Sequence, residues 1–244
     1  KVLYFNVIKK AGTIMSTTAQ KTLEIITTLK SMTNEYNRAG MKRFGINTDH
    51  AFGISVTELR KLGKPFKKDH DLALSLFATG YHEARILAIV IDDPKKVTTA
   101  QMEEWVQQFD SWDVTDLSCM HLFVYHPDYL KTVLDWCNRT ETFQKRAGFT
   151  MIAAGAVHLK KHDDQMFADL LSLTEQHAYD ERNFVKKAVN WGIRQIGKRS
   201  HFLREEAIAC CERILLQNTK PARWIANDAL KELHRPEIIA RIKR

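Results

Sequence analysis

At 244 residues and a formal net charge of +8, the chain is long enough for one large domain or two small ones with a sizeable core. Hydrophobic residues at 44% and charged residues at 27% are ordinary for a soluble globular protein, and no run of about 18 apolar residues is present to span a membrane. The 4 cysteines, Cys119, Cys137, Cys210 and Cys211, show neither C-x-x-C spacing nor a secreted framework, so a disulfide scaffold is excluded and reduced cytoplasmic thiols are expected.

Only 5 Pro and 10 Gly interrupt the chain, which predicts a strongly helical fold. Residues 1–14 are too short and broken for a signal sequence and are read as a leader ahead of a natural start at Met15. Residues 15–244 are then a single functional domain. From Thr18 onward Leu23, Ile26, Leu29 and Met32 recur at helical spacing, and a second helical pattern runs from about Asn34 to Arg43. Residues 44–54 read as a loop, and Ser55 with Glu58 three residues on is a capping box that opens the next helix. A cationic cluster follows at Arg60, Lys61, Lys64, Lys67 and Lys68, and residues 70–79 form another short helix.

Beyond residue 80 the pattern repeats. Arg85-Ile86, Asp116-Leu117, Arg146-Ala147, Lys187-Ala188 and Asp228-Ala229 each place a polar residue before a small or apolar one early in a helical stretch. Their spacings are 31, 30, 41 and 41. Helix pairs at such periods are expected to stack as an α-solenoid, with the second helices lining a concave surface. Arg85, Asp116, Arg146, Lys187 and Asp228 would then form one column, unless the spacing is a coincidence of an irregular helical protein.

Within this repeat, Ser111 to Asp116 opens an amphipathic stretch running to about Tyr125. Trp112 and Asp116, four apart, share a helix face, and Leu117, Met120 and Val124 have the spacing of a buried stripe. A carboxylate beside an indole on the solvent side of a packed helix suggests chemistry; a surface Asp near a helix start is the plain alternative. Asp113, in the first turn, has a structural reason to be there, since it complements the helix N-terminus.

His158 and His162, spaced i, i+4, have no third ligand and no H-E-x-x-H pattern, so no metal site is expected. Residues 181–244 hold 15 Lys/Arg against 7 Asp/Glu, whereas residues 1–180 balance at 22 each. The excess points to an anionic partner, nucleic acid first. Within it, Phe184, Lys187, Trp191, Arg194 and Lys198 fall on one helix face, aromatics alternating with cations. Phosphates match the cations, and the rings can pack on sugars or bases; cations snorkelling around partly buried rings is the alternative. Cys210-Cys211 reads as a pair of buried small residues. No phosphate-cradling glycine loop or G-x-S-x-G elbow occurs.

Ser111–Asp116, Gln144–Ala147, the Phe184/Lys187/Trp191/Arg194 face and Phe52-Gly53-Ile54 together resemble the AlkD family of DNA glycosylases, over about residues 20–235. The resemblance implies an all-α superhelix of HEAT-like repeats whose concave basic face holds duplex DNA. It implies excision of cationic N3- or N7-alkylated purines without base flipping, cofactor or metal, by a monomer in the cytoplasm. Asp116 stands at the catalytic carboxylate, Trp112 and Trp191 at the two indoles, and Arg146 at an arginine beside the DNA. Phe44 replaces a tyrosine of the prototype, and Asn183 replaces the first of two phenylalanines. DNA contacts are expected from Phe44, Arg85, Arg146, Phe184, Lys187, Arg194 and Lys198.

The chemistry fits these parts. An alkylated purine leaves as a neutral molecule, so no general acid is needed, and the charge that develops is on the deoxyribose. A fixed carboxylate stabilises it or positions water, and indoles add cation–π attraction. The competing reading is a non-catalytic HEAT-repeat scaffold that binds DNA or protein.

Overall fold

The computed structural model describes residues 17–242, so the leader at residues 1–14 and the start at Met15 lie outside the described residues. Among the described residues the chain is helical, with no strand. The helices are α1 (Thr18–Ser31), α2 (Glu35–Arg43), α3 (Val56–Gly63), α4 (His70–Ala78), α5 (His82–Ile91), α6 (Thr99–Gln107) and α7 (Trp112–His121). They continue as α8 (Tyr129–Trp136), α9 (Thr142–His158), α10 (Asp164–Gln176), α11 (Asn183–Gly197), α12 (His201–Leu216), α13 (Lys220–Leu233) and the short α14 (Pro236–Ile239). Single 3-10 turns lie at Lys64–Phe66 and Phe123–Tyr125. No described helix is long and apolar enough to cross a membrane.

Side-chain caps set many of the helix starts. Ser55 and Glu58 form the expected capping box of α3, and Thr17 with Gln20 does the same for α1. Asp69, Thr98, Asp163, Ser200 and Thr219 accept from first-turn amides of α4, α6, α10, α12 and α13.

The helices stack as the repeat spacing predicts. α5 packs on α7, α7 on α9, α9 on α11 and α11 on α13, so every second helix belongs to one inner row. Behind that row α4 backs α5, α8 backs α9, and α10 and α12 back α11. Each helix pair buries its apolar side only by stacking on its neighbours.

Two corrections follow from this stacking. The stretch from Ser111 is not one helix to Tyr125: α7 ends at His121, and a 3-10 turn follows Leu122. Its buried stripe is Val114, Thr115, Ser118 and Cys119, while Leu117 and Met120 are only partly covered. A helix clasped by α5 on one side and α9 on the other buries two sides, which a single stripe does not describe. Asp228, expected early in its helix, sits in the middle of α13.

The Phe52-Gly53-Ile54 segment has a structural cause. The wholly buried Glu83 carboxylate accepts from the amides of Phe52 (2.8 Å), Gly53 (2.6 Å) and Ile54 (3.2 Å). Gly53 has φ of 79°, and a Cβ there would stand 2.2 Å from the Asn34 carbonyl oxygen. Only glycine fits, and the segment pins α1–α3 against α5.

Candidate functional site

Asp116 projects from the second turn of α7 and is met by two residues of α9. Arg146 donates through Nε to Oδ1 at 2.9 Å and through Nη2 to Oδ2 at 2.7 Å, a bidentate pair. Thr150, one turn further along α9, donates its hydroxyl to Oδ1 at 3.0 Å. The remaining Arg146 nitrogen, Nη1, donates to the Phe184 carbonyl at 2.7 Å, which ties the pair to the start of α11. Oδ1 thus takes two donors and Oδ2 one, which leaves Oδ2 with acceptor capacity. Burial pushes the Asp116 carboxyl above its ordinary value, while the Arg146 charge and the Arg146 and Thr150 bonds pull it back down.

This carboxylate lies at a cavity of about 520 Å³ on the inner row. α11 contributes Lys187, Asn190, Trp191 and Arg194 to its wall, and α13 contributes Trp224 and Asp228. The +4, +3 spacing along α11 therefore does put Lys187, Trp191 and Arg194 on one open face. Lys187 is exposed and forms no ion pair among the described residues. The Trp191 indole N–H is 3.0 Å from the Gln195 side-chain oxygen, with that amide oriented to accept it.

The structure gathers Asp116, Arg146, Lys187, Trp191, Arg194 and Asp228 and leaves Phe44, Arg85, Trp112, Phe184 and Lys198 outside the cavity lining. Arg146, expected at phosphates, is buried with its donors turned to Asp116 and Phe184. Arg85 is drawn to the turn before α7, where it meets Asp110 at 3.4 Å and lies over the Phe77 ring. Four of the five column residues thus reach the cavity. Lys198 pairs with Glu232 at 2.6 Å, and Arg194 pairs with the same carboxylate and lies 3.9 Å from Asp228. α13 therefore neutralises two cations that spacing along α11 alone left open.

The aromatic residues form a border. Phe44 caps the end of α2 and is 73% exposed, and its carbonyl accepts from the Trp112 indole N–H at 3.1 Å. Phe184 packs against Phe143, and a Cβ on Gly45 would stand 2.8 Å from its ring. Asn47 donates to Asp110 at 3.0 Å, and the His50 carbonyl accepts from the His82 amide at 2.9 Å. Residues 44–50 thus touch the starts of α5, α7 and α11.

Asp113 has the structural place expected of it, for a different reason. Its Oδ2 meets His82 Nε2 at 2.9 Å across the α5–α7 contact, and its Oδ1 accepts from the Ser111 hydroxyl and the Val114 amide. Burial opposes its ionisation, but the His82 bond and charge together with the Ser111 and Val114 bonds hold its carboxyl below the usual value. Its partner His82, for which burial also opposes the charged form, is raised by Asp113.

Trp224, Thr150 and Asn190 are the site residues the sequence reading missed. Trp224 is 40% exposed, with the Lys186 ammonium 4.8 Å from its ring centre. A signal for it exists: Trp112/Asp116 and Trp224/Asp228 are the same Trp-x-x-x-Asp spacing on two inner helices.

The profile of the family described as DNA alkylation repair enzyme matches residues 25–233 of this architecture. The chain belongs to that family. Two uncharacterized proteins, from Listeria innocua and Listeria monocytogenes, are 22% and 21% identical over 166 residues, covering 67% of this chain and 72% of each relative. A solved structure from a new family related to the HEAT-like repeat DNA glycosylases, with affinity for branched DNA structures, superposes with a TM-score of 0.74 at 17% identity. That match covers 91% of this chain and 96% of the other, so this family member has the HEAT-like repeat fold.

Proposed function

We propose that this DNA alkylation repair protein is a glycosylase that excises cationic N3- or N7-alkylated purines from duplex DNA, with Asp116 as its catalytic carboxylate. The observation that carries the reading is Asp116 itself: an anion fixed by the Arg146 fork and Thr150, with acceptor capacity left on Oδ2, at a cavity walled by Trp191. The C1′–N bond breaks with its electron pair going to the purine, which leaves neutral. The cationic sugar is stabilised by Asp116 and the adjacent indole. Water then adds to C1′, and its proton passes to Asp116 or to solvent. Arg146 acts as a positioning residue, and Lys187 reaches backbone phosphate.

The test is single-turnover release of 7-methylguanine from a defined duplex. Asp116→Asn should lower the rate about 10²-fold or more while DNA affinity holds or tightens. The active form is the carboxylate, and burial lifts its pKa above the ordinary 3.8. The wild-type rate should therefore rise with pH along a limb centred above that value, and the Asn variant should lack the limb. Wild-type-like release by Asp116→Asn would remove the assignment. The second reading is a DNA binder without excision, favoured by the neutralisation of Asp116, Arg194 and Lys198 within the fold. The affinity of the structural neighbour for branched DNA points the same way. Binding with no release by wild type would select it.

A further inference from the structure

Outside the Asp116 cavity, the cationic run 60–68 forms a cleft of about 440 Å³. Arg60, Lys64, Lys67 and Lys68 line one side, and the C-terminal ends of α5 and α7 line the other, with His121 at the rim. The floor is apolar, built from Ile89, Val90 and Leu122. The acid that borders it, Asp92, is wholly buried and already engaged by His70 at 2.6 Å and Gln101 at 2.8 Å. Arg60, Lys64, Lys67 and Lys68 are exposed and form no ion pair among the described residues.

Helix-end electrostatics account for Arg60 and Lys61, which lie in the last turn of α3. Lys64 is the C-cap of α3, and Lys67 and Lys68 follow the 3-10 turn beyond it, outside the last turn of any helix of their own. Lys68 has φ of 68°, a left-handed conformation rare outside glycine, and its amide is tied to the Ile91 carbonyl at 2.6 Å. The left-handed backbone at Lys68 thus falls within a segment whose three lysines, Lys64, Lys67 and Lys68, all line the cleft. His121 lies five residues beyond Asp116 on α7, about 7.5 Å along the axis and on another side of the helix.

We infer that this cleft is a second DNA-binding site, which grips the phosphodiester backbone of a segment other than the one at Asp116. The open cleft has cations for phosphates and no array of polar groups to read a base, which suits a passing strand rather than a buried nucleotide. The inference goes beyond the excision reading and stands without it, because it concerns unmodified DNA.

The test compares a 12-base-pair duplex with a three-way junction of 12-base-pair arms. The cleft variant is Lys64→Gln/Lys67→Gln/Lys68→Asn, with Asn chosen at 68 because it tolerates the left-handed backbone. A control with equal charge loss is Lys131→Gln/Lys161→Gln/Lys220→Gln, all exposed positions elsewhere. The cleft variant should bind the junction at least tenfold more weakly than the control, with the slope of log K against log salt flatter by about 2–3 units. Both should bind the short duplex alike. Equal junction binding by the two variants would overturn the inference, and so would an equal loss on duplex and junction. Direct binding of inorganic pyrophosphate by wild type but not by the cleft variant at constant ionic strength, while junction binding is unchanged by the substitutions, would overturn the inference and assign the cleft to a small phosphate ligand instead. Asp116→Asn should leave the duplex-to-junction difference intact, which separates a failed cleft from a failed excision site.

Discussion

Asp113 and Asp116 are three residues apart and have opposite electrostatic settings. Asp116 is held by a permanently charged arginine and opens on the cavity, whereas Asp113 is enclosed with a histidine that can lose its charge. The folded-state pKa of His82 is raised from 6.5, so its contribution to stability is complete below pH 6.5 and is lost as pH rises through the folded value. That of Asp113 is lowered from 3.8, so its contribution is complete above pH 3.8 and is lost as pH falls through the folded value. Stability from the pair is therefore greatest between those limits. Asp113→Asn should cost about 1–3 kcal/mol at pH 6, more than loss of a helix-dipole contact alone, because it strands a buried imidazole. The cost should shrink as pH rises past 6.5. Urea melts at pH 6 and pH 8.5 check this, and a cost that is the same at both would show that the His82 pair is not its source. Excision should stay largely intact.

At the scale of the helix, α9 is the hub. Of its 17 residues 12 are buried, so it has polar and apolar residues inside alike and no single wet face. Gly148 and Gly155 let α8 come close. A Cβ on Gly148 would stand 2.5 Å from the Cys137 amide nitrogen, and one on Gly155 would stand 2.1 Å from the Tyr129 hydroxyl. Each change to Ala should destabilise by about 1–3 kcal/mol, despite the better helix propensity of Ala. A Tyr129→Phe background should reduce, without removing, the cost of Gly155→Ala, since the ring Cζ would still stand 2.6 Å from the new Cβ, and should leave the cost of Gly148→Ala, whose obstruction is backbone. Thermal melts of the double-mutant cycle decide this, and a Gly155→Ala cost unchanged by Tyr129→Phe would show that the hydroxyl is not the obstacle. Helix α3 was readable from Ser55 and Glu58, since a capping box is local. So was the inner row, since one polar position returned at each repeat and Asp116, Arg146, Lys187 and Asp228 do meet. The pairing of Arg194 and Lys198 with Glu232 was not readable, because their partner lies more than 30 residues away on a helix that only folding brings alongside. Arg85 failed to join the column for the same reason: Asp110, 25 residues away, holds it.

Across the whole molecule, the inner row offers an open surface at one end of its helices. None of α5, α7, α9 and α11 has a side-chain cap, and Ser111, the one residue suited to the task, turns its hydroxyl to Asp113 instead. Asp116, Arg146 and Lys187 each lie one turn inside such a start, so amide dipoles add to the positive side of the surface. The loop at residues 44–50 has a different consequence, for cooperativity. A stack in which each helix touches only its neighbours is a one-dimensional chain that frays from its ends. Gly45 against the Phe184 ring closes that chain into a ring, since it joins the loop after α2 to α11 past everything between them. Gly45 has φ of 74°, so Ala there is strained as well as crowded. In wild type the amides of α2 and α3 should exchange with solvent in the same unfolding unit as α11. In Gly45→Ala they should open earlier than α11, by about tenfold in protection for each 1.4 kcal/mol of lost coupling, while α9 keeps its protection. Native-state hydrogen exchange reads this directly, and a variant in which α2, α3 and α11 still exchange together would show that the ring closure does not couple them.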